Sequence, residues 1–432
     1  MTASIIGGGL AGCEAAWALA NRGIKVRLHE MKPGKYTPAH SYPGLAELIC
    51  SNSLKAARVN SAAGMLKEEL RRMGSLILMA ADETAVPAGG ALSVDRERFS
   101  DRVTEHIRNH PLIERVEGEV TGLPDGPVII ASGPLTSEAL SGEIGRIIGG
   151  DYLSFYDAAA PIVTADSIDR DKVFAAARYE RGGDDYLNCP FDKAPYRDFV
   201  EELQNAERAP VHGVDAEHPP AVYEGCMPVE MLAGRGIDTL RFGPMKPVGL
   251  VNPADGRRPY AVVQLRRENL EGTLYNLVGF QTSLRFGEQK RVFGMIPGLE
   301  RAEFVRYGVM HRNTFIDSPR LLDGRFRLRS DARIGFAGQI TGVEGYVESA
   351  MSGLIAGMNL ARELRGEAPF IPHEYTISGA LCRYISDPGI RDFQPMGASM
   401  GLLPALETHE RDKQKRYMAL ALRGLETLPE SL

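Results

Sequence analysis

Two cysteines of this chain stand where a nucleophile would stand. Cys50 ends the apolar start of ELICSNSLK and is followed at once by Ser51-Asn52-Ser53, while Cys226 lies in YEGCMPVE, a turn between an apolar segment and a helix start. A thiol among small polar and glycine residues is open to substrate, whereas a thiol inside an apolar run packs as a small hydrophobe. Local sequence leaves both roles open for Cys50 and Cys226; Cys13, Cys189 and Cys382 read as packing. The five cysteines form no C-x-x-C pair and the nine histidines show no H-E-x-x-H spacing, which argues against a metal centre, a disulfide framework and a disulfide reductase.

Cationic residues are the second chemical resource. Lys246 sits between two prolines in RFGPMKPVGL, a stiff loop that suits a phosphate or carboxylate contact, or is simply a rigid turn. Further basic clusters occur at Arg257-Arg258, Arg266-Arg267, Arg285 with Lys290-Arg291, Arg320 to Arg329, and Lys413 to Arg416. Each alone reads as a solvated face; together they are a candidate phosphate-contacting surface on a chain of net charge −6.

The elements that must position these groups begin at residue 4. In SIIGGGLAGCEAAWALANRGIKVRLHE, a short buried strand runs into Gly7-Gly8-Gly9-Leu10-Ala11-Gly12, which fits G-x-G-x-x-G. An alanine-rich helix follows to Asn21, Gly23 stops it, and Lys25 to Glu30 alternate as a second strand ending in an acid. Gly7 permits the tight turn, Gly9 lets backbone N–H groups approach a pyrophosphate, Gly12 allows close helix–strand packing, and Glu30 accepts from ribose hydroxyls. This motif binds FAD or NAD equally well.

Two later segments favour FAD. Pro127 to Pro134, with Gly133 after its strand, is the strand that returns beside the first βαβ unit in two-dinucleotide-type flavoproteins. RIGFAGQITGVEGYVESAMSGLIAGMNLAREL predicts a strand over 334–337, a glycine-rich turn from Gly338 and Gln339 through Gly342 to Gly345, and a helix over 346–364. Its stripe Ala350, Gly353, Gly357, Ala361 is expected to lie close against a sheet, its N-terminus to face the flavin C2 carbonyl and N1, and Tyr346 to stack on the ring.

The fold expected is therefore α/β: a Rossmann-like FAD-binding domain of the two-dinucleotide-binding flavoprotein type, formed by residues 1–150 and 326–432 and split by an α+β insertion domain at 151–325. In the insertion, Tyr260–Leu265 and Thr273–Val278 read as antiparallel strands and Tyr196–Asn205 as a helix. A last amphipathic helix is expected over Glu407–Leu425, with Met418, Leu420, Leu422 and Leu425 near one face. With 432 residues, 44% hydrophobic and 25% charged, the composition is that of an ordinary soluble globular protein. No run of about 18 apolar residues and no basic-then-apolar leader is found, so a cytoplasmic protein away from membranes is expected.

The motifs LICSNSLK, YEGCMPVE, GPMKPVGL, GFQTSLRFGEQKRVF, YGVMHRNTFI and GFAGQITGVEGYVESAMSGLIAG occur in order along essentially the full length. In them the chain resembles the folate- and FAD-dependent tRNA (uracil-5-)-methyltransferases, which make ribothymidine in the T loop of bacterial tRNAs. The resemblance implies FAD as cofactor, methylenetetrahydrofolate and NAD(P)H as co-substrates, and the T-arm of tRNA as partner of a monomer. It implies that Cys226 adds to uracil C6, with Cys50 beside the flavin as acid/base or alternative nucleophile. It also implies that His311 stacks on the pterin, and that Arg285, Lys290 and Lys246 contact tRNA phosphates or the folate tail. The rival readings are the flavin- and folate-dependent modification of wobble uridine, whose enzymes are longer, an oxygen-using monooxygenase, and a non-catalytic flavin-containing tRNA-binding protein.

Overall fold

The computed structural model describes residues 2–37, 39–150, 153–180, 183–209, 227–391, 393–407 and 410–429. Its first sheet is wholly parallel, in the order Ile334–Phe336, Val128–Ile130, Thr2–Ile6, Lys25–Glu30, Ile113–Glu117. The first three of these strands are short, largely apolar runs, as expected for a parallel sheet buried on both faces. Structural and sequence readings agree on an α/β Rossmann-like nucleotide-binding fold.

The stripe of small residues on the Tyr346–Leu364 helix meets a different partner from the one expected. It packs on the Leu10–Ala20 helix, not on a sheet. A Cβ at Gly353 would lie 2.1 Å from the Ala11 carbonyl oxygen, and one at Gly357 would lie 2.6 Å from that of Ala15. The two helices thus touch backbone to backbone, which only glycine permits. A second correction concerns the C-terminal helix. It runs Lys413–Leu425, beginning where the Asp412 carboxylate accepts from the Lys415 N–H. Its buried face is Leu420, Ala421, Gly424 and Leu425, whereas Met418 and Leu422 face solvent.

Residues 162–306 build a second, six-stranded sheet with its own core. Its order is Phe174–Ala175, Tyr186–Phe191, Ala261–Arg267, Leu274–Leu277, Ile162–Thr164, Phe304–Arg306, all pairs antiparallel. The helix Lys193–Asn205 buries Tyr196, Phe199, Val200 and Leu203 in that core. A small sheet of Ser53–Ala56, Ala91–Val94 and Ala85–Val86 lies in the chain just after Cys50, and Leu153–Ala158 pairs with Met310–Phe315.

The basic clusters do not form one phosphate-contacting face. Arg327 is 2% exposed and reaches Glu363 at 3.4 Å; Arg325 is held by Asp323. Arg266 is buried as well, covered by the Cys50 loop through Asn52 and Ser51. No helix among the described residues is long and apolar enough to cross a membrane, and none of them form a metal-binding group of three His, Cys, Asp or Glu.

Candidate active site

A cleft of about 1360 Å³, mouth included, opens at the carboxyl ends of the parallel strands. The glycine turn forms its floor. Gly7 has φ +104°, and a Cβ there would lie 2.4 Å from the Ala131 carbonyl oxygen. Gly12 is a packing glycine, since its Cβ would lie 1.8 Å from the Gly7 oxygen, and it does not line the cleft. At Gly9 a Cβ would meet nothing within 4 Å. Gly7, Gly8, Gly9, Leu10 and Ala11 do line it.

Helix starts in the nucleotide-binding part of the molecule are of two kinds. Ser61, Ser75, Asp95 and Thr376 each satisfy the first turn of their helix with a side-chain oxygen. The two helices that start at the cleft are preceded by glycines, Gly9 and Gly345, and carry no side-chain cap. Their first-turn N–H groups therefore keep donors and positive dipole ends for a ligand. A pyrophosphate fits the first of these, the open Gly9 turn.

Glu30 ends the second strand and is 8% exposed. Its Oε2 accepts from the Gly8 N–H at 2.7 Å and its Oε1 from the Lys32 N–H at 2.9 Å. Each oxygen retains a lone pair, so a ribose hydroxyl can still be bound. The next residues were not singled out in the sequence. Lys32 is buried, donating to the Gly44 and Tyr42 carbonyls at 2.6 and 2.9 Å and to Glu47 at 3.2 Å. His40 also lines the cleft, bonded to Thr37, and burial pushes its pKa down. Isolated charges in a loop carry no periodic signal, so only their tertiary convergence reveals them.

At the opposite end, Gly133, Gly338, Gln339 and Tyr346 line the cleft. Gln339 donates to Glu344 at 2.6 Å. Gly342 and Gly345 do not line it: Gly342 has φ +80° and faces the Phe393 ring, and Gly345 has φ +123° and faces Glu348. Their positive φ values shape the turn that brings Tyr346 in.

Tyr346 grips the Cys50 loop. Its hydroxyl oxygen accepts from the Cys50 N–H at 2.9 Å and the Ser51 N–H at 3.3 Å, and lies 3.0 Å from Cys50 Sγ. Burial, then the neighbouring Cys50 sulfur, push the Tyr346 pKa well above the usual phenol range, so the hydroxyl keeps its proton. Three more side chains fix the loop. Arg96 donates to the Leu48 and Ile49 carbonyls at 2.8 and 2.9 Å and is anchored on Glu268 at 2.6 Å. Arg266 donates to Asn52 Oδ1 at 2.9 Å and Ser51 Oγ at 2.7 Å, while Asn52 donates to the Val94 and Arg267 carbonyls. Burial lowers the Arg266 pKa, with Glu268 opposing. Both guanidinium groups act electrostatically on Cys50. The site thus holds one half-buried thiol in a fixed frame, with positive charge beside it, on the wall of a dinucleotide cleft. Cys13, Cys189 and Cys382 are by contrast buried in the cores, and burial pushes Cys382 up to about 12.

The remaining candidates are spread out. Cys226 lies outside the described residues; Ala209 and Val229, on either side of its segment, are hydrogen-bonded to Ser283 and Gln281. His311 is on the Met310–Phe315 strand opposite Asp157, and its side chain lies outside the described residues. Arg285 is paired with Glu207 at 2.8 Å, and Lys290 is exposed on the Phe286–Phe293 helix. Lys246 is exposed, and its carbonyl accepts from Arg178. None of Arg285, Lys290 and Lys246 lines the cleft.

Fold and cleft together define a dinucleotide-binding α/β protein of the flavoprotein kind. The family model for glucose inhibited division protein A matches residues 2–368. The solved Aquifex aeolicus GidA structure (form II crystal) superposes with TM-score 0.71 at 17% identity, covering 98% of this chain and 73% of that one, which speaks to fold. Curated relatives are much closer. A Geobacter sulfurreducens protein named methylenetetrahydrofolate–tRNA-(uracil-5-)-methyltransferase TrmFO is 60% identical over 96% of this chain and 95% of its own. A Moorella thermoacetica protein of the same name is 58% identical over 98% and 96%. The chain belongs to the GidA family and, within it, to the methylenetetrahydrofolate–tRNA-(uracil-5-)-methyltransferases.

Proposed function

We propose that this protein methylates C5 of a uridine in the T loop of tRNA, with methylenetetrahydrofolate as one-carbon donor. The observation that carries the reading is the Cys50 thiol, pinned by Tyr346 on the wall of a cleft built for a dinucleotide. The relatives' shared name supplies the substrate class.

FAD is the dinucleotide in this reading. The uncapped turn at Gly9 would hold its pyrophosphate, Glu30 its ribose, and the Gly338-Gln339 turn with the start of the Tyr346–Leu364 helix its ring end. The bound flavin supplies the hydride that completes the methyl group, and NAD(P)H restores it.

The chain's own residues do the rest. Uracil C5 is a poor nucleophile until a sulfur adds to C6. Forming the S–C6 bond moves an electron pair toward C5 and O4, and C5 then bonds to the methylene carbon as one of that carbon's C–N bonds breaks and leaves its electron pair on nitrogen; the remaining C–N bond breaks in the same way when hydride arrives. Loss of the C5 proton and departure of the sulfur restore the ring. Cys226 is proposed as the sulfur that adds, and Cys50 as the group that handles the proton. Arg96 and Arg266 hold Cys50 in place through the backbone and through Ser51 and Asn52. His311 would stack on the pterin, and Arg285, Lys290 and Lys246 would take tRNA phosphates or the folate tail. Residues 1–150 and 326–432 would carry the nucleotide, and 151–325 the folate and tRNA.

The test incubates purified protein with unmodified tRNA transcript, methylenetetrahydrofolate and NADPH, then analyses the digested nucleosides by mass spectrometry. Folate-dependent 5-methyluridine in the T loop is expected. A modified wobble uridine, or no modified uridine from flavin-loaded protein, would refute the proposal.

A further inference from the structure

Outside the cleft, three aromatic rings form a continuous stack on the second sheet. Phe304 and Tyr307 lie 5.3 Å apart at 10°, and Tyr307 and Phe286 lie 4.7 Å apart at 17°. Core aromatics of this chain meet mostly edge-on or tilted, as at Phe191–Tyr196 and Phe280–Phe293. The inner ring, Phe304, packs on the core, but the outer ring, Phe286, is 55% exposed. The frame is rigid. Buried Gln289, one helical turn beyond Phe286, exchanges hydrogen bonds with both the N–H and C=O of Gly308 at 2.8 and 2.7 Å, tying the helix to the residue after Tyr307.

Charge around the stack is sorted. The nearby acids are taken up by arginines: Glu207 by Arg285, and Glu202 and Glu288 by Arg291. Lys290, one helical turn beyond Phe286, and Arg306, next to Tyr307, form no ion pair among the described residues. Arg306 is half-buried and within electrostatic reach of Arg96 and Tyr346, two of the residues that hold the Cys50 loop. An exposed π face with unpaired cations next to it in the chain matches a flat base carried on an anionic backbone.

We propose that Phe286 and Tyr307 form a stacking platform for an unpaired base of the RNA substrate, with Lys290 and Arg306 taking its flanking phosphates. This rests on the tRNA reading above. The test measures binding of a fluorescein-labelled RNA stem-loop with a uridine-rich loop, and of a fully paired duplex, to the FAD-loaded protein and to Phe286→Ala, Phe286→Trp and Tyr307→Ala. Stacking on one aromatic is worth about 1–3 kcal/mol, so Phe286→Ala should weaken stem-loop binding roughly 5- to 150-fold. Phe286→Trp should restore it, and duplex binding should change little. Unchanged stem-loop affinity in Phe286→Ala would overturn the platform while leaving methylation intact. So would a raised KM for methylenetetrahydrofolate with unchanged RNA affinity, which would assign the rings to the folate. A shift of Phe286→Ala to a smaller species on sedimentation, with RNA affinity kept, would make this a face between copies of the chain. Loss of methylation in every variant and in the parent would instead strike the tRNA reading itself.

Discussion

Replacing Tyr346 by phenylalanine removes one oxygen and almost no volume, which isolates the grip on Cys50. That oxygen accepts two N–H groups, those of Cys50 and Ser51, and touches the sulfur. A buried donor left unpaired costs about 1–3 kcal/mol. The loop is half-buried, so water reaches it and the low end applies, about 1 kcal/mol per N–H or ~2 kcal/mol in all. Arg96 and Arg266 still hold the loop on both sides, so the loss is expected to appear as misplacement of Cys50 and not as unfolding. Spent on positioning, ~2 kcal/mol corresponds to about 30-fold in rate. The assay is single-turnover methylation of tRNA transcript, with FAD content by absorbance and thermal unfolding run in parallel. A Tyr346→Phe enzyme within twofold of the parental rate would refute the reasoning. So would a large fall in Tm with the rate per folded molecule preserved.

Further expectations concern the frame. Gly353→Ala drives a Cβ to 2.1 Å from the Ala11 carbonyl oxygen; overpacking of about 1–3 kcal/mol should exceed the helix-propensity gain of about 1 kcal/mol, lowering both Tm and bound FAD. Gly142→Ala, in a helix where a Cβ meets nothing within 4 Å, should stabilise slightly in the same melt. Glu30→Ala strips the acceptor from the Gly8 and Lys32 N–H groups and should yield protein purified without flavin, read from its visible spectrum. Burial raises the carboxyl pKa of Glu14 and Glu69 from 4.5 to about 7, so the folded state holds more protons than the unfolded one. Their contribution to stability is full below about pH 4.5 and is lost as pH rises through about 7. Urea unfolding across that window should show falling stability, and Glu69→Gln should flatten the slope.

The βαβ unit was legible because each glycine answers a local constraint, the turn at Gly7 or the contact at Gly12, that three or four neighbouring residues announce. The Tyr346–Leu364 helix was legible in full, from the glycine turn before it to its end. Its partner was not: Gly353 and Gly357 report a close approach without saying to what, and the Leu10–Ala20 helix lies more than three hundred residues away in sequence. The same blindness applied to Arg266 and Arg327, which look like surface charge until folding turns one onto the Cys50 loop and buries the other. Met418 and Leu422 went wrong differently, because the apolar run from Tyr417 to Leu422 encircles its part of the helix and does not reveal which side has a neighbour. Cys50 stood out as a thiol beside a polar turn, but the hydroxyl that holds it comes from the other end of the chain.

That separation sets a schedule for synthesis. The strand Val128–Ile130 is wholly apolar, and its neighbour Ile334–Phe336 leaves the ribosome roughly 200 residues later. At about 5–20 residues per second the nascent chain waits ~10–40 s with that strand edge bare and the Leu10–Ala20 helix lacking the glycine face that covers it. Residues 162–306, all of which emerge in the interval, can pair their own antiparallel sheet first. The Cys50 loop can then be clamped by Arg266 before Tyr346 exists, so the Cys50 thiol acquires its frame in two instalments, the last only when the nucleotide cleft itself closes.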